Sequence, residues 1–163
     1  MQKVGDFGDL HSFWQHWNSL PHSDPSGLFY NQRTKTTVFV VDLKTCVEAL
    51  AVFENSSKPS WEDPTNCLGS DINYRISLRT DQLKPVWDKL VFSVIGETLP
   101  SSEDIVGCRI VDKKKSYKLE LWLKFDANNE LFSKKTSEIK QALKTLFPEF
   151  SGMEPRINSH KPL

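Results

Sequence analysis

Lys58-Pro59-Ser60-Trp61-Glu62-Asp63-Pro64 sets an indole beside a carboxylate, in a segment whose prolines exclude it from a helix interior or a central strand. A flat π face stacks on a planar cation or an electron-poor base. An ionised carboxylate only accepts hydrogen bonds, and it can take two N–H groups from the edge of that base. Guanine offers such a pair, N1–H and the exocyclic amine. The bland alternative is a loop tryptophan pinned on the core next to a solvated glutamate, because a motif without its fold is a weak warrant.

A second indole lies downstream. From Tyr117 to Phe125 the side chains alternate, with Tyr117, Leu119, Leu121, Leu123 and Phe125 making one apolar face. Lys118, Glu120, Trp122 and Lys124 occupy the other, so the alternation expects Trp122 on the polar side among charges. It either covers exposed sheet with its N–H in water or forms a contact surface beside Lys118. The turn Lys113-Lys114-Lys115-Ser116 precedes this strand. Ammonium groups around one turn can hold a di- or triphosphate as point charges, although a lysine-rich turn is more often solvated surface. Together these residues are the inventory for a purine nucleotide with a phosphate tail.

Three helices and several strands must position them. Leu10, Phe13, Trp14 and Trp17 repeat at helical spacing and stop before Pro21. Leu83, Val86, Trp87, Leu90, Val91 and Val94 mark a second helix, with Pro85 tolerable near its start. Ile139, Ala142, Leu143 and Leu146 mark a third, ending before Pro148. Strands are expected over 36–42, over 72–78 where Ile72, Tyr74, Ile76 and Leu78 alternate, over 105–112 and over 117–125. The last two form a hairpin. Residues 21–34 read as a long mobile loop and the stretch from Gly152 as loop. The fold class is α+β: an antiparallel sheet with about three helices on one face, in a single domain over 1–163.

Composition narrows the classes. With 21 basic and 21 acidic side chains the formal charge is zero, which argues against sequence-blind coating of nucleic acid. Cys46, Cys67 and Cys108 are odd in number and lack metal-type spacing, as expected of a reduced protein. His11 and His16, five apart in one helix, read as surface residues, and the four histidines form no metal signature. No signal peptide or membrane-spanning segment is visible, so the cytoplasm is the expected compartment. Paired carboxylates with metal ligands, an activated nucleophile and a phosphate-cradling glycine loop are all missing, so an enzyme is not expected.

In this order the motifs resemble the eukaryotic translation initiation factor 4E family, the messenger-RNA cap-binding proteins. The pieces are Asp9-Leu10-His11-Ser12-Phe13-Trp14, residues 58–63, Val86-Trp87 with Ile95-Gly96-Glu97, Ile105-Val106-Gly107-Cys108, and Lys118-Leu119-Glu120-Leu121-Trp122. They run from about Val4 to His160. The resemblance implies a curved sheet with helices on its convex back and the cap in its concave front. Trp61 would stack on 7-methylguanine, Glu62 would accept from its edge, and Trp122 would lie against the methyl group. Lys113, Lys115 and Lys118 match the basic positions for the phosphates. Trp14, with Leu10 and Phe92, matches the surface that receives a helix of a scaffold factor 4G or a 4E-binding protein. The capped messenger RNA and that helix are the implied partners, and no cofactor is implied.

The chain also departs from the family pattern. The family sandwiches the base between two tryptophans, the first upstream of the opening helix. Met1 lies too close to Phe13-Trp14 for that loop, so the expectation is an N-terminally truncated chain or a substitute ring. Phe29 and Tyr30 are the loop aromatics for such a substitution. Gly69-Ser70-Asp71-Ile72 places an acid where the family has a base near the phosphate path, and Asp88-Lys89 stand where it has an apolar and an acidic residue. The implied function is cap binding in translation initiation or its regulation. The alternative is a relative that does not bind caps and acts as an interaction module through its Trp14 face.

Overall fold

The apolar stripes read from the sequence become buried helix faces. The computed structural model describes residues 3–19, 24–31, 33–40 and 44–160. Helix α1, Leu10–Ser19, buries Phe13 and opens on Asp9, whose Oδ1 accepts from the Ser12 N–H at 2.8 Å. That cap satisfies one of the orphan donors of the first turn. Helix α2, Leu83–Ile95, carries Pro85 in its first turn, where no intrahelical N–H is needed, and buries Leu83, Val86, Trp87, Leu90 and Val91. Helix α3, Ser133–Leu146, buries Thr136, Ile139 and Leu143 and stops before Pro148.

Seven strands are described: β1 Phe39–Val40, β2 Thr45–Cys46, β3 Ala49–Phe53, β4 Ser70–Ile76, β5 Ile105–Asp112, β6 Tyr117–Leu123 and β7 Arg156–Ser159. Among the described residues the first two pair with each other. The remaining five form a curved antiparallel sheet in the order β3-β5-β6-β4-β7, with the helices on its convex face. Ile72, Tyr74 and Ile76 of β4, Cys108 and Ile110 of β5 and the odd-numbered residues of β6 meet the helices in one apolar core. Complete burial also raises the Cys108 thiol far above its ordinary range, so it packs as a small hydrophobe.

Several expectations are adjusted. The expected strand over 36–42 is seen as β1, with Thr36 in an isolated bridge to Asn31; residues 41 and 42 lie outside the described ones. β3 was not expected, and β7 forms in the stretch read as loop. Of the expected loop over 21–34, residues 21–23 and 32 lie outside the described residues. Its described part turns through Pro25–Gly27, where Asp24 Oδ1 accepts from the Ser26 N–H at 2.8 Å, and drives Leu28 and Phe29 into the core.

Two glycines are dictated by close approach. A Cβ on Gly69 would lie 2.1 Å from the Leu123 carbonyl oxygen, and one on Gly107 would lie 2.3 Å from the Val52 oxygen and 2.7 Å from Phe53 Cγ. Gly107 faces Trp122 across the ladder, at an irregularity between Ile105 and Gly107. The missing side chain lets Phe53 reach Trp122 edge-on at 5.2 Å.

Candidate ligand-binding recess

The segment 57–66 is built to present Trp61. Asn66, fully buried, is its clip: Nδ2 donates to the carbonyls of Lys58 (2.6 Å) and Ser60 (3.0 Å), and Oδ1 accepts from Ser57 Oγ at 3.1 Å. Asp63 adds a second tie, accepting from the N–H groups of Lys58 (3.1 Å) and Thr65 (3.0 Å). These short-range side-chain bonds replace the ladder that a proline-flanked segment cannot form. Trp61 stands 52% exposed at the tip. Glu62 is exposed beside it and accepts a hydrogen bond from Ser60 Oγ, which holds its carboxyl below the ordinary carboxylate range. One carboxylate oxygen thus has a local donor and the other is open to a ligand.

Trp122 corrects the expectation of an exposed second indole. The alternation assigns its face correctly, yet the residue is 0% exposed, because that face carries a second buried layer. Phe53 covers Trp122 from β3, His160 approaches to 4.3 Å from the end of β7, and the Arg109 guanidinium lies over the ring at 4.9 Å. The Trp122 N–H donates to Glu120 Oε2 at 2.9 Å.

Glu120 and Asp71, each 1% exposed, organise this floor. Glu120 also accepts from Arg109 Nε at 2.6 Å and lies 2.8 Å from Lys118 Nζ. Asp71 accepts from Asn73 (2.7 Å), from Asn158 (3.2 Å) and from Lys118 (3.3 Å), with His160 Nε2 at 3.5 Å. Burial alone would raise the Asp71 pKa, but His160, Lys118 and Asn158 outweigh it and hold the carboxyl below its ordinary value. Asp71, expected as an acid in the phosphate path, is instead a buried counter-ion. Lys118 departs from expectation for the same reason: its ammonium bridges two carboxylates instead of standing free.

Two adjoining spaces open on this floor. The larger, about 700 Å³, is lined among others by Glu48, Trp61, Arg109, Lys113, Lys118 and Asn158, a size that suits a small organic ligand. The smaller, about 190 Å³, is lined by Pro59, Ser60, Trp61, Glu62, Arg109 and Trp122. Lys113, Lys114 and Lys115 stand exposed at the hairpin end. There Lys113 N donates to the Ser116 carbonyl (2.9 Å), and Lys114 takes the left-handed conformation, φ 63°, with its N–H on Asp112 Oδ1.

Of the substitute aromatics, Phe29 is excluded. It is 0% exposed and stacks on Tyr117 at 6.1 Å, on the helix side of the sheet. Tyr30 is half-buried near the hairpin end, where its backbone N–H donates to Asp112 Oδ2 at 2.7 Å. The ring beside Trp61 is that of His160, 6.1 Å away and inclined by 20°. Sequence reasoning gave His160 and Arg109 no role. Their partners lie 11 to 94 residues away, so no local spacing announces them.

On the opposite side, Leu10 and Trp14 are exposed, Trp14 at 44%, and Trp14 packs on half-buried Phe92 at 5.1 Å. Trp17 turns inward, 6.5 Å from Trp87. Asp88 pairs with Lys84 at 2.7 Å and Lys89 with Glu149 at 3.0 Å beside this patch.

Comparison with known proteins shows the family and the fold. The family model described as "Eukaryotic initiation factor 4E" matches residues 1–160. Initiation factor 4E-2 of Schizosaccharomyces pombe is 24% identical over 149 residues, 80% of this chain and 59% of that protein. Initiation factor 4E1 of Drosophila melanogaster is 34% identical over 82 residues, 49% of this chain and 31% of that one. The matches thus cover about a third to three fifths of these curated relatives' length. In structure, the complex of C. elegans eIF4E-3 with the 4E-binding protein Mextli and a cap analog aligns with TM-score 0.75 at 21% identity, over 98% of this chain and 79% of that one. The complex of Ascaris suum eIF4E-3 with the m2,2,7G cap aligns with TM-score 0.73 at 21% identity, over 99% and 79%. Both likenesses are of fold.

Proposed function

The chain belongs to the eukaryotic initiation factor 4E family, and we propose that it binds the 7-methylguanosine 5′ cap of messenger RNA and acts in translation initiation or its regulation, in the cytoplasm. One observation carries this reading: the loop clipped by Asn66 holds a half-exposed Trp61 face beside an ionised Glu62 with an open oxygen. Methylation at N7 makes the guanine ring cationic, which strengthens stacking on an indole, and the carboxylate accepts from N1–H and the exocyclic amine. The lysines at the hairpin end, Lys113 and Lys115, face the phosphate chain. Trp122, under the smaller space, forms its floor from beneath Arg109. The Leu10, Trp14 and Phe92 patch takes a helix of a 4G-like scaffold or a 4E-binding protein, as the complex with Mextli suggests.

Titration with 7-methylguanosine diphosphate is expected to quench tryptophan fluorescence saturably, with guanosine diphosphate far weaker. Trp61→Ala and Glu62→Gln each lose most of the binding, the second because an amide turns donors toward guanine's donors. Absence of quenching up to millimolar ligand, or equal binding of the unmethylated nucleotide, sinks the reading. The second reading, an interaction module without cap binding, draws support from Lys118, whose charge is balanced inside the floor. It predicts capture of a helical partner that Trp14→Ala abolishes, while cap resin retains nothing.

A further inference from the structure

The floor carries two cations and two buried carboxylates, and the cations are not equivalent. Lys118 has its ammonium between Glu120 and Asp71, at 2.8 and 3.3 Å. Arg109 donates only Nε to Glu120, and its two terminal amino groups have no hydrogen-bond partner among the described residues. Its guanidinium lies over Trp122, so one face is covered while the fork edge stays open. With Trp61, Arg109 is also one of two residues that line both the larger and the smaller space. A group stacked on Trp61 and reaching from one space to the other must pass this fork.

We propose that Arg109 grips the phosphate nearest the nucleoside of a nucleotide whose base stacks on Trp61; the assignment rests on the cap-binding reading of Trp61 and Glu62. A guanidinium tied through Nε presents its two remaining nitrogens as a fixed pair, the geometry that a phosphate takes bidentately. The glutamate and the indole hold the side chain in place, so little rotamer freedom is lost on binding. The charges of Arg109, Lys118, Asp71 and Glu120 sum to zero, so the floor has no net pull on an anion. Selectivity for the first phosphate comes from directed hydrogen bonds, and later phosphates meet only the exposed lysines of the hairpin end, whose attraction salt screens. Ligand affinity therefore rises steeply from nucleoside to monophosphate and gently afterwards.

The test titrates the full chain and its Arg109→Lys variant with 7-methylguanosine, its monophosphate and its diphosphate by fluorescence, at low and moderate salt. Lysine keeps the charge beside Glu120 but loses the fork. The expected result is a drop of about 10- to 100-fold for both nucleotides, the range of charge-assisted hydrogen bonds, with nucleoside affinity held within about threefold. A double variant, Arg109→Gln with Glu120→Gln, removes the charge pair together and is expected to show the same nucleotide-only loss. Wild-type affinity of Arg109→Lys for the monophosphate overturns the assignment. Equal losses for nucleoside and nucleotide also overturn it, and show that Arg109 acts by placing Trp122 or Trp61. A wild-type chain that binds none of the three ligands refutes the reading of Trp61 and Glu62 itself, and the role of Arg109 with it.

Discussion

Glu120→Gln puts the floor to its most direct test. The carboxylate serves three donors: Arg109 Nε at 2.6 Å and Trp122 Nε1 at 2.9 Å on one oxygen, Lys118 Nζ at 2.8 Å on the other. An amide has one acceptor oxygen. Placed toward Arg109 and Trp122, it keeps both hydrogen bonds but turns its NH2 group at an ammonium. Lys118 still has Asp71 and is 20% exposed along its side chain, so it can lean toward water. Breaking a buried ion pair from one side costs about 3–5 kcal/mol. The contacts that survive put Glu120→Gln below that, at about 2–3 kcal/mol. For a chain of this length the melting temperature then falls by about 4–12 °C. Glu120→Ala, which strands all three donors, is expected to reach the full 3–5 kcal/mol, again on the order given for broken buried pairs. Urea unfolding followed by tryptophan fluorescence, with calorimetry for the melting temperature, measures both. If both variants stay within about 0.5 kcal/mol of wild type, the range of ordinary surface substitutions, Glu120 does not organise the floor.

Gly107→Ala drives a methyl group into the Val52 carbonyl and the Phe53 ring, and an overpacking cost of about 1–3 kcal/mol is expected, with a changed near-ultraviolet circular dichroism as Phe53 leaves Trp122. Phe29→Ala empties a core position and is expected to cost about 3–5 kcal/mol in urea unfolding, while the folded variant binds cap analogue as wild type does. Asp71 has a depressed pKa in the folded state, so it protonates more readily when unfolded. Its contribution is complete above its unfolded value near 3.8 and is lost as the pH falls through the lower folded value. An acid-unfolding series is expected to show that limb in wild type and a flatter one in Asp71→Asn.

The parts of the fold that local pattern determines were legible. α1, α2 and α3 follow from helical apolar spacing and proline stops, and the β5–β6 hairpin from its turn and from alternation. β3 escaped because Ala49-Leu50-Ala51-Val52-Phe53 is apolar throughout and half-buried along its length, with no alternation to read. β7, with its polar sequence Arg156-Ile157-Asn158-Ser159, owes its pairing to β4 and not to propensity. At the proposed site, loop chemistry singled out Trp61 and Glu62, and the structure holds both exposed on the 57–66 segment. Trp122 was placed on the right face but in the wrong environment, because charged neighbours suggest solvent unless their partners are known. Those partners, Arg109 for Glu120 and Asp71 for Lys118, lie 11 and 47 residues away. Phe29 misled for the converse reason: Ser, Asp, Pro and Gly around it mark a turn, and a turn can still tuck a ring inward.

The contact between Asn66 and His160 sets how late in synthesis the Trp61 segment is fastened. The Asn66 carbonyl oxygen accepts from His160 Nδ1 at 3.1 Å, and the backbone N–H of His160 donates to the Gly69 carbonyl at 2.9 Å. The first of these ties spans 94 residues. At about 5–20 residues per second of synthesis, some 5–20 s separate the ribosomal emergence of the Trp61 segment from that of the residue that fastens its base. During that interval β7 has yet to cover β4, and Asp71 lacks its donor Asn158 and the neighbouring His160 ring. The nascent chain can therefore assemble α1, α2 and the central hairpin before α3 and β7 emerge, while the Trp61 segment gains its last fastening only as synthesis reaches His160.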